Sequence, residues 1–216
     1  MTCLNLILEH RLIAIIRLED LSSAVQLSQA LLAGGIVAQE FTLTNPRALE
    51  AISHVLREVK AFSHGEATIG VGSVRSREQA LASLSAGAQF VVSPIYQPAV
   101  TAVCVERNVP IMSGALTPTE IASAWEAGAS LVKVFPARGL GPDYIKDVLA
   151  PMPEIKIMPT GGIGLTNMRD YFKAGACAVG VGGNLIDGPA LADGNWDRIS
   201  QVAQDYARQA RQGAAS

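Results

Sequence analysis

The chain has 216 residues, 49% of them hydrophobic and 17% charged, with a formal net charge of −2. This length suits one α/β barrel domain over residues 1–216. The weak acidity and the lack of a basic block argue against nucleic acid or an anionic membrane as partner, so any anion site must be local.

The N-terminal run MTCLNLILEHRLIAIIR is broken by Glu9, His10 and Arg11, well short of the ~20 apolar residues a membrane span needs. No basic segment precedes it as in a secretory leader, and a soluble, cytoplasmic protein is expected. Residues 2–9 predict a short helix capping a barrel floor. Apolar runs then predict strands at 11–17, 37–43, 67–71, 89–93, 109–113, 130–135, 155–159 and 177–181. Amphipathic stretches at 20–33, 46–60, 75–86, 117–127 and 164–174 alternate with them, and 97–107 is a weaker helix with Pro98 near its start. Thr117, Pro118 and Glu120 have the spacing of an N-cap, a proline at N1 and a capping-box acid. The phrases LLAGGIVAQEF, LSAGAQFVVSP, WEAGASLVKVF and FKAGACAVGVG place Gly34, Gly87, Gly128 and Gly175 where a left-handed residue closes a helix. Residues 189–216 read as a final helix and tail.

Strands alternating with helices, without a long linker, predict a (β/α)8 TIM barrel. An open doubly wound sheet would place a glycine-rich fingerprint after the first strand, where IIRLED stands instead. Cys3, Cys104 and Cys177 lack disulfide-framework or metal spacing, and His10, His54 and His64 form no ligand pattern, so no metal is expected. Trp125 and Trp196 read as helix packing.

Active sites of such barrels gather at the C-terminal ends of the strands. Two charged residues interrupt apolar strands there: Lys133 in SLVKVFPA and Glu40 in VAQEFTL. Either they form a buried structural ion pair, or burial depresses the lysine pKa to give a nucleophilic amine, with Glu40 moving protons. PTGGIG at 159–164 and GVGGNL at 180–185 follow the seventh and eighth strands. Plain tight turns would explain either one, but barrels often hold phosphate at this pair of loops, where backbone N–H groups and a helix N-terminus favour an anion. Ser73 and Pro94 end the third and fourth strands.

From about residue 11 to 187, the motifs AGGIVAQEFTL, GVGSV, SAGAQFVVSP, VKVFPA, PTGGI and VGGNLI together resemble the KDPG/4-hydroxy-2-oxoglutarate aldolases. The resemblance implies a homotrimeric class I aldolase without metal or other cofactor. Its small-molecule substrate would be 2-keto-3-deoxy-6-phosphogluconate (KDPG), cleaved to pyruvate and glyceraldehyde 3-phosphate. By motif, Lys133 matches the Schiff-base lysine and Glu40 the general acid/base. Ser73 matches a threonine that contacts the pyruvyl carboxylate, while Pro94, Phe135 and Thr160 match residues of the pyruvyl pocket. Gly161, Gly162, Gly182, Gly183 and Asn184 match the phosphate loops, and Arg17 a basic residue ending the first strand. Thr44 departs from the pattern, standing where many members carry a carboxylate-binding arginine that Arg17, Arg47 or Arg75 would have to replace. IYQP after Pro94 departs as well. Alternative readings are an aldolase for the galactonate epimer or for 4-hydroxy-2-oxoglutarate, a non-catalytic barrel that binds a phosphorylated metabolite, and a phosphate-barrel isomerase.

Overall fold

In a computed structural model, which describes residues 1–212, eight parallel strands run in the order β7-β6-β5-β4-β3-β2-β1-β8. They are β1 (Leu12–Ile16), β2 (Ala38–Thr42), β3 (Thr68–Gly72), β4 (Phe90–Val92), β5 (Ile111–Ala115), β6 (Leu131–Val134), β7 (Ile157–Pro159) and β8 (Val179–Val181). A parallel bridge between Thr160 and Gly180 joins the two end strands, and the Cys177 N–H donates to the Ile157 carbonyl at 3.0 Å. The sheet therefore closes, and the fold is a TIM barrel.

Helices follow the strands on the outside: α2 (Ala24–Ala33), α3 (Ala48–Glu58) with the short α4 (Lys60–Ser63), α5 (Arg77–Ser85), α6 (Pro98–Glu106) and α7 (Pro118–Glu126). After β6 come α8 (Gly141–Leu149), α9 (Met168–Lys173), α10 (Gly188–Ala192) and α11 (Trp196–Gln212). The expected capping box at Thr117 is present, with Glu120 accepting from the Thr117 N–H. Helix α8 was not anticipated. Its signals are Pro142 at the start, Asp143 in the first turn and Lys146 near the end, with Ile145 and Val148 on the buried face. No helix among the described residues is long and apolar enough to cross a membrane.

One expectation is corrected. Gly87, Gly128 and Gly175 take positive φ, but Gly34 has φ −79° and the left-handed residue is Gly35, at φ 83°. Gly34 serves a different purpose: a Cβ there would come 2.4 Å from the Ala203 Cβ, so its bare Cα lets α11 lie against the end of α2.

Strand alternation divides the apolar residues into two cores. One lies between the sheet and the helices and includes Ile16, Phe41, Val71, Val132 and Val181. The other fills the barrel interior with Ile13, Ala38, Phe90, Val92, Met112, Leu131, Met158 and Ala178. The floor is closed by α1 (Cys3–His10), which contributes Ile7 to the interior core. Arg11 fastens that end by donating to the carbonyls of Ala176 and Cys177 while its guanidinium lies 4.1 Å from the centre of the Phe172 ring.

Candidate active site

Two residues beyond six members of the interior core, alternation brings another position to the barrel interior, one layer nearer the C-terminal rim. Ile13 leads to Ile15, Ala38 to Glu40, Met112 to Gly114, Leu131 to Lys133, Met158 to Thr160 and Ala178 to Gly180. The first member of each of these pairs is apolar, whereas the second members include a carboxyl, an amine and a hydroxyl alongside two glycines. Register puts Ile15 beside Glu40, and Gly114 and Met158 on either side of Lys133.

Lys133 is 4% exposed and Glu40 1%. Among the described residues the two make no ion pair, and the salt bridges present are on the surface. The structural ion pair considered above is thus not formed. Burial pushes the Lys133 amine below its ordinary pKa, opposed by the charge of Glu40 and reinforced by Arg17. Burial likewise pushes the Glu40 carboxyl up, while Lys133 and Arg17 hold it down. Each shift favours the neutral form of its group. The Lys133 Nζ lies 5.1 Å from the centre of the Phe135 ring, and Glu40 Oε2 is buried with no hydrogen-bond partner among the described residues.

Glycines make the room. A Cβ on Gly72 would come 1.7 Å from Glu40 Oε1, so the carboxyl lies across the bare Cα of that residue. A Cβ on Gly114 would meet the Pro94 carbonyl carbon at 2.2 Å, which sets Pro94 directly over the strand neighbour of Lys133. A Cβ on Gly180 would come 2.5 Å from Thr160 Oγ1, a second buried atom lacking a hydrogen-bond partner. Unpaired buried polar atoms are costly and uncommon in a folded protein.

Above this layer opens a cavity of about 530 Å³ lined by Arg17, Phe135, Thr160, Gly161, Gly162, Gly182, Gly183 and Asn184, all singled out in the sequence. Ile15, Pro136, Arg138, Ile163 and Gly180 also line it. Gly161 and Gly162 take φ of 92° and 82°, a backbone course that side chains disfavour. The helix contribution expected at these loops is smaller than the sequence suggested, since α9 starts only at Met168 and α10 at Gly188. Loop N–H groups and the two arginines remain as anion donors.

Lys133 and Glu40 lie beneath the cavity lining rather than in it, and Ser73 and Pro94, which end their strands next to this layer, do not line the cavity either. Ser73 holds a left-handed φ of 63° immediately after Gly72, a strained conformation of the kind that collects at functional sites. Thr44 faces a neighbouring cavity of about 560 Å³, shared with Arg17, Leu18, Glu19, Asn45 and Pro46. Its hydroxyl lies 2.8 Å from that of Thr42. Of the three arginines that would replace the missing one, Arg47 is paired with Glu50 on the surface and Arg75 is exposed two residues before α5. Arg17 alone adjoins both cavities and acts on Lys133 and Glu40. Arg138 escaped the sequence reading because it follows the strand and lies outside every motif.

A family model described as "Aldolase: KDPG and KHG aldolase" matches residues 4–202. The 2-dehydro-3-deoxy-phosphogluconate aldolase of Treponema pallidum (strain Nichols) is 36% identical over 195 residues, covering 90% of each chain. A solved structure described as native KDPGal superposes with a TM-score of 0.84 at 29% identity, covering 95% of this chain and 96% of the other. KDPG aldolase from Legionella pneumophila, with pyruvate captured as a covalent carbinolamine intermediate, gives 0.83 at 26% identity over 94% and 97%. With a match this long and a barrel of this architecture, the chain belongs to the KDPG and KHG aldolase family and is an aldolase, a carbon–carbon lyase.

Proposed function

We propose that this aldolase cleaves 2-keto-3-deoxy-6-phosphogluconate to pyruvate and glyceraldehyde 3-phosphate through a Schiff base on Lys133. The observation that carries this reading is the burial of both Lys133 and Glu40 in the barrel without an ion pair between them. A lysine 4% exposed, with no ion-pair partner and a lowered pKa, sits in the same barrel layer as a carboxyl whose pKa is raised. The neutral amine attacks the C2 carbonyl, giving a carbinolamine that loses water to become an iminium. Deprotonation of the C4 hydroxyl then breaks the C3–C4 bond; the electron pair moves into the iminium, releasing the aldehyde and leaving an enamine. Protonation at C3 and hydrolysis free pyruvate and restore the amine. Glu40, with an unpaired buried oxygen, is the group that takes and returns these protons, directly or through one water.

The substrate assignment draws on the glycine loops and arginines of the 530 Å³ cavity, which suit a distal phosphate, and on the name of the Treponema relative. Thr160 Oγ1, unpaired at the cavity edge, is placed to bond a hydroxyl between the two ends. Arg17 replaces the arginine missing at Thr44 as carboxylate partner. Exposed Ile95, Leu116 and Leu140 follow β4, β5 and β6 at one end of the barrel; we read them as a contact surface between copies, in keeping with a homotrimer.

Coupled pyruvate release, measured with the phosphorylated gluconate, its galactonate epimer and 4-hydroxy-2-oxoglutarate, tests the assignment. The highest kcat/KM is expected for the phosphorylated gluconate. A higher value for either other substrate would reassign the specificity, and no release from any of them would leave a non-catalytic barrel.

A further inference from the structure

The cavity above Lys133 carries two guanidinium groups, Arg17 and Arg138, and among the described residues no acidic one lines it. In a protein of net charge −2 this is a concentrated positive site. Neither arginine forms a salt bridge or a side-chain hydrogen bond among the described residues, although other surface arginines do, such as Arg198 with Asp187 and Arg208 with Asp205.

Arg138 is held where it stands. It lies in a 3-10 turn, Ala137–Gly139, that begins three residues after β6. The Ala137 N–H donates to the Thr160 carbonyl at 2.9 Å, and the Tyr171 hydroxyl donates to the Ala137 carbonyl at 3.2 Å. Those bonds tie the turn to the end of β7 and to α9. The side chain then runs along the second glycine of PTGGIG: a Cβ on Gly162 would come 2.5 Å from the Arg138 Cβ and 3.4 Å from its Nε. Gly162, itself in the cavity lining, thus leaves the path along which Arg138 reaches the same space.

We propose that Arg138 is a specificity-determining residue of this chain, its guanidinium binding the distal phosphate of the substrate across the cavity from Gly182 and Gly183. The proposal rests on the reading of the substrate as phosphorylated. A guanidinium matches two phosphate oxygens at once, and it retains its charge at every working pH. In this arrangement Arg17 is left to serve the carboxylate near Lys133, and Arg138 gives the far end its own cation.

The test runs the reaction in the direction of condensation, with pyruvate and either glyceraldehyde 3-phosphate or glyceraldehyde, which differ only by the phosphate. The ratio of the two kcat/KM values isolates the phosphate contribution. Arg138→Ala is expected to lower that ratio by about 10- to 100-fold, the range for losing a charge-assisted pair, chiefly through KM. Arg138→Lys should restore part of it, Arg138→Glu should lower it further, and inorganic phosphate should compete more weakly in Arg138→Ala. Because the side chain is exposed and unpaired, folding should survive, and unchanged circular dichroism checks this. A ratio that stays within about twofold in both Arg138→Ala and Arg138→Glu, or an equal loss with both aldehydes, would overturn the proposal. The ratio in the unmodified protein keeps the two readings apart. If the unmodified protein shows no preference for glyceraldehyde 3-phosphate, the reading of a phosphorylated substrate fails; if it shows the preference but the variants leave the ratio unmoved, only the role of Arg138 fails.

Discussion

A single methyl group at Gly72, a residue outside the cavity lining, should disable the enzyme through Glu40. The alanine Cβ would start 1.7 Å from Glu40 Oε1, 2.4 Å from Cδ and 2.7 Å from Cγ. Moving the oxygen out to a separation of 3.0 Å takes a shift of about 1.3 Å, and misplacing a reacting group by roughly 1 Å can cost about 100-fold in rate. The backbone gives no reason for misfolding: Gly72 has no positive φ and pairs in register with Thr42 at the C-terminal ends of β3 and β2. Replacing glycine by alanine at a compatible position even contributes about 0.4–1 kcal/mol by restricting the unfolded chain, offsetting part of the local crowding. Gly72→Ala should therefore melt within a few degrees of the parent while kcat for pyruvate release falls by about 100-fold, close to the effect of losing general acid–base help. Combining it with Glu40→Gln should add little, because both changes remove the same proton shuttle. A kcat for Gly72→Ala within about threefold of the parent would refute the reasoning, showing either that the carboxyl relaxes without cost or that it moves no protons.

Glu40→Gln keeps shape and hydrogen bonding but not the titratable proton, and kcat should drop by roughly 100-fold or more in steady-state assays. The same variant reports on stability. Because the folded pKa of Glu40 is raised above its ordinary 4.5, the parent loses stability as pH rises from there toward the folded pKa, and its Tm should fall relative to Glu40→Gln over that window. Imine formation needs the neutral amine, so the rate of pyruvate trapping should rise with pH with a midpoint below the ordinary 10.5; a midpoint at or above it would show that burial does not control Lys133. Gly183 has open space where a Cβ would stand, so Gly183→Val should project into the cavity. It should depress kcat/KM for the phosphorylated gluconate far more than for 4-hydroxy-2-oxoglutarate, and equal losses would show that the loop only shapes the barrel.

The barrel was legible because its signals are local. Each strand is an apolar run between turn residues, and some helix starts carry side-chain caps, such as Ser76 and Thr117 with Glu120. Lys133 and Glu40 stood out for the same reason, since charges inside apolar runs violate the pattern of their own strands. What stayed hidden depends on packing between distant segments. Gly34 reads as a helix stop, yet its bare Cα is needed for α11, more than 160 positions away in the chain. Gly72 reads as part of GVGSV, and nothing in that motif says that a carboxyl from the preceding strand will lie across it. Arg138 was passed over because its function depends on the space beside Gly162, which exists only after β6 and β7 are paired. Thr44 was legible as a departure, but the arginine that stands nearest, Arg17, emerged only once the barrel brought the ends of β1 and β2 together.

The central claim, that Lys133 becomes covalently bonded to the keto acid, is tested most directly by borohydride reduction in the presence of pyruvate, followed by peptide mass mapping. Only an imine is reduced to a stable adduct under these conditions. The account predicts that the peptide containing Lys133 gains the mass of reduced pyruvate, and that Lys133→Ala gains none while retaining the parent circular dichroism spectrum. An unmodified Lys133 under saturating pyruvate, or an adduct on another lysine, would contradict it.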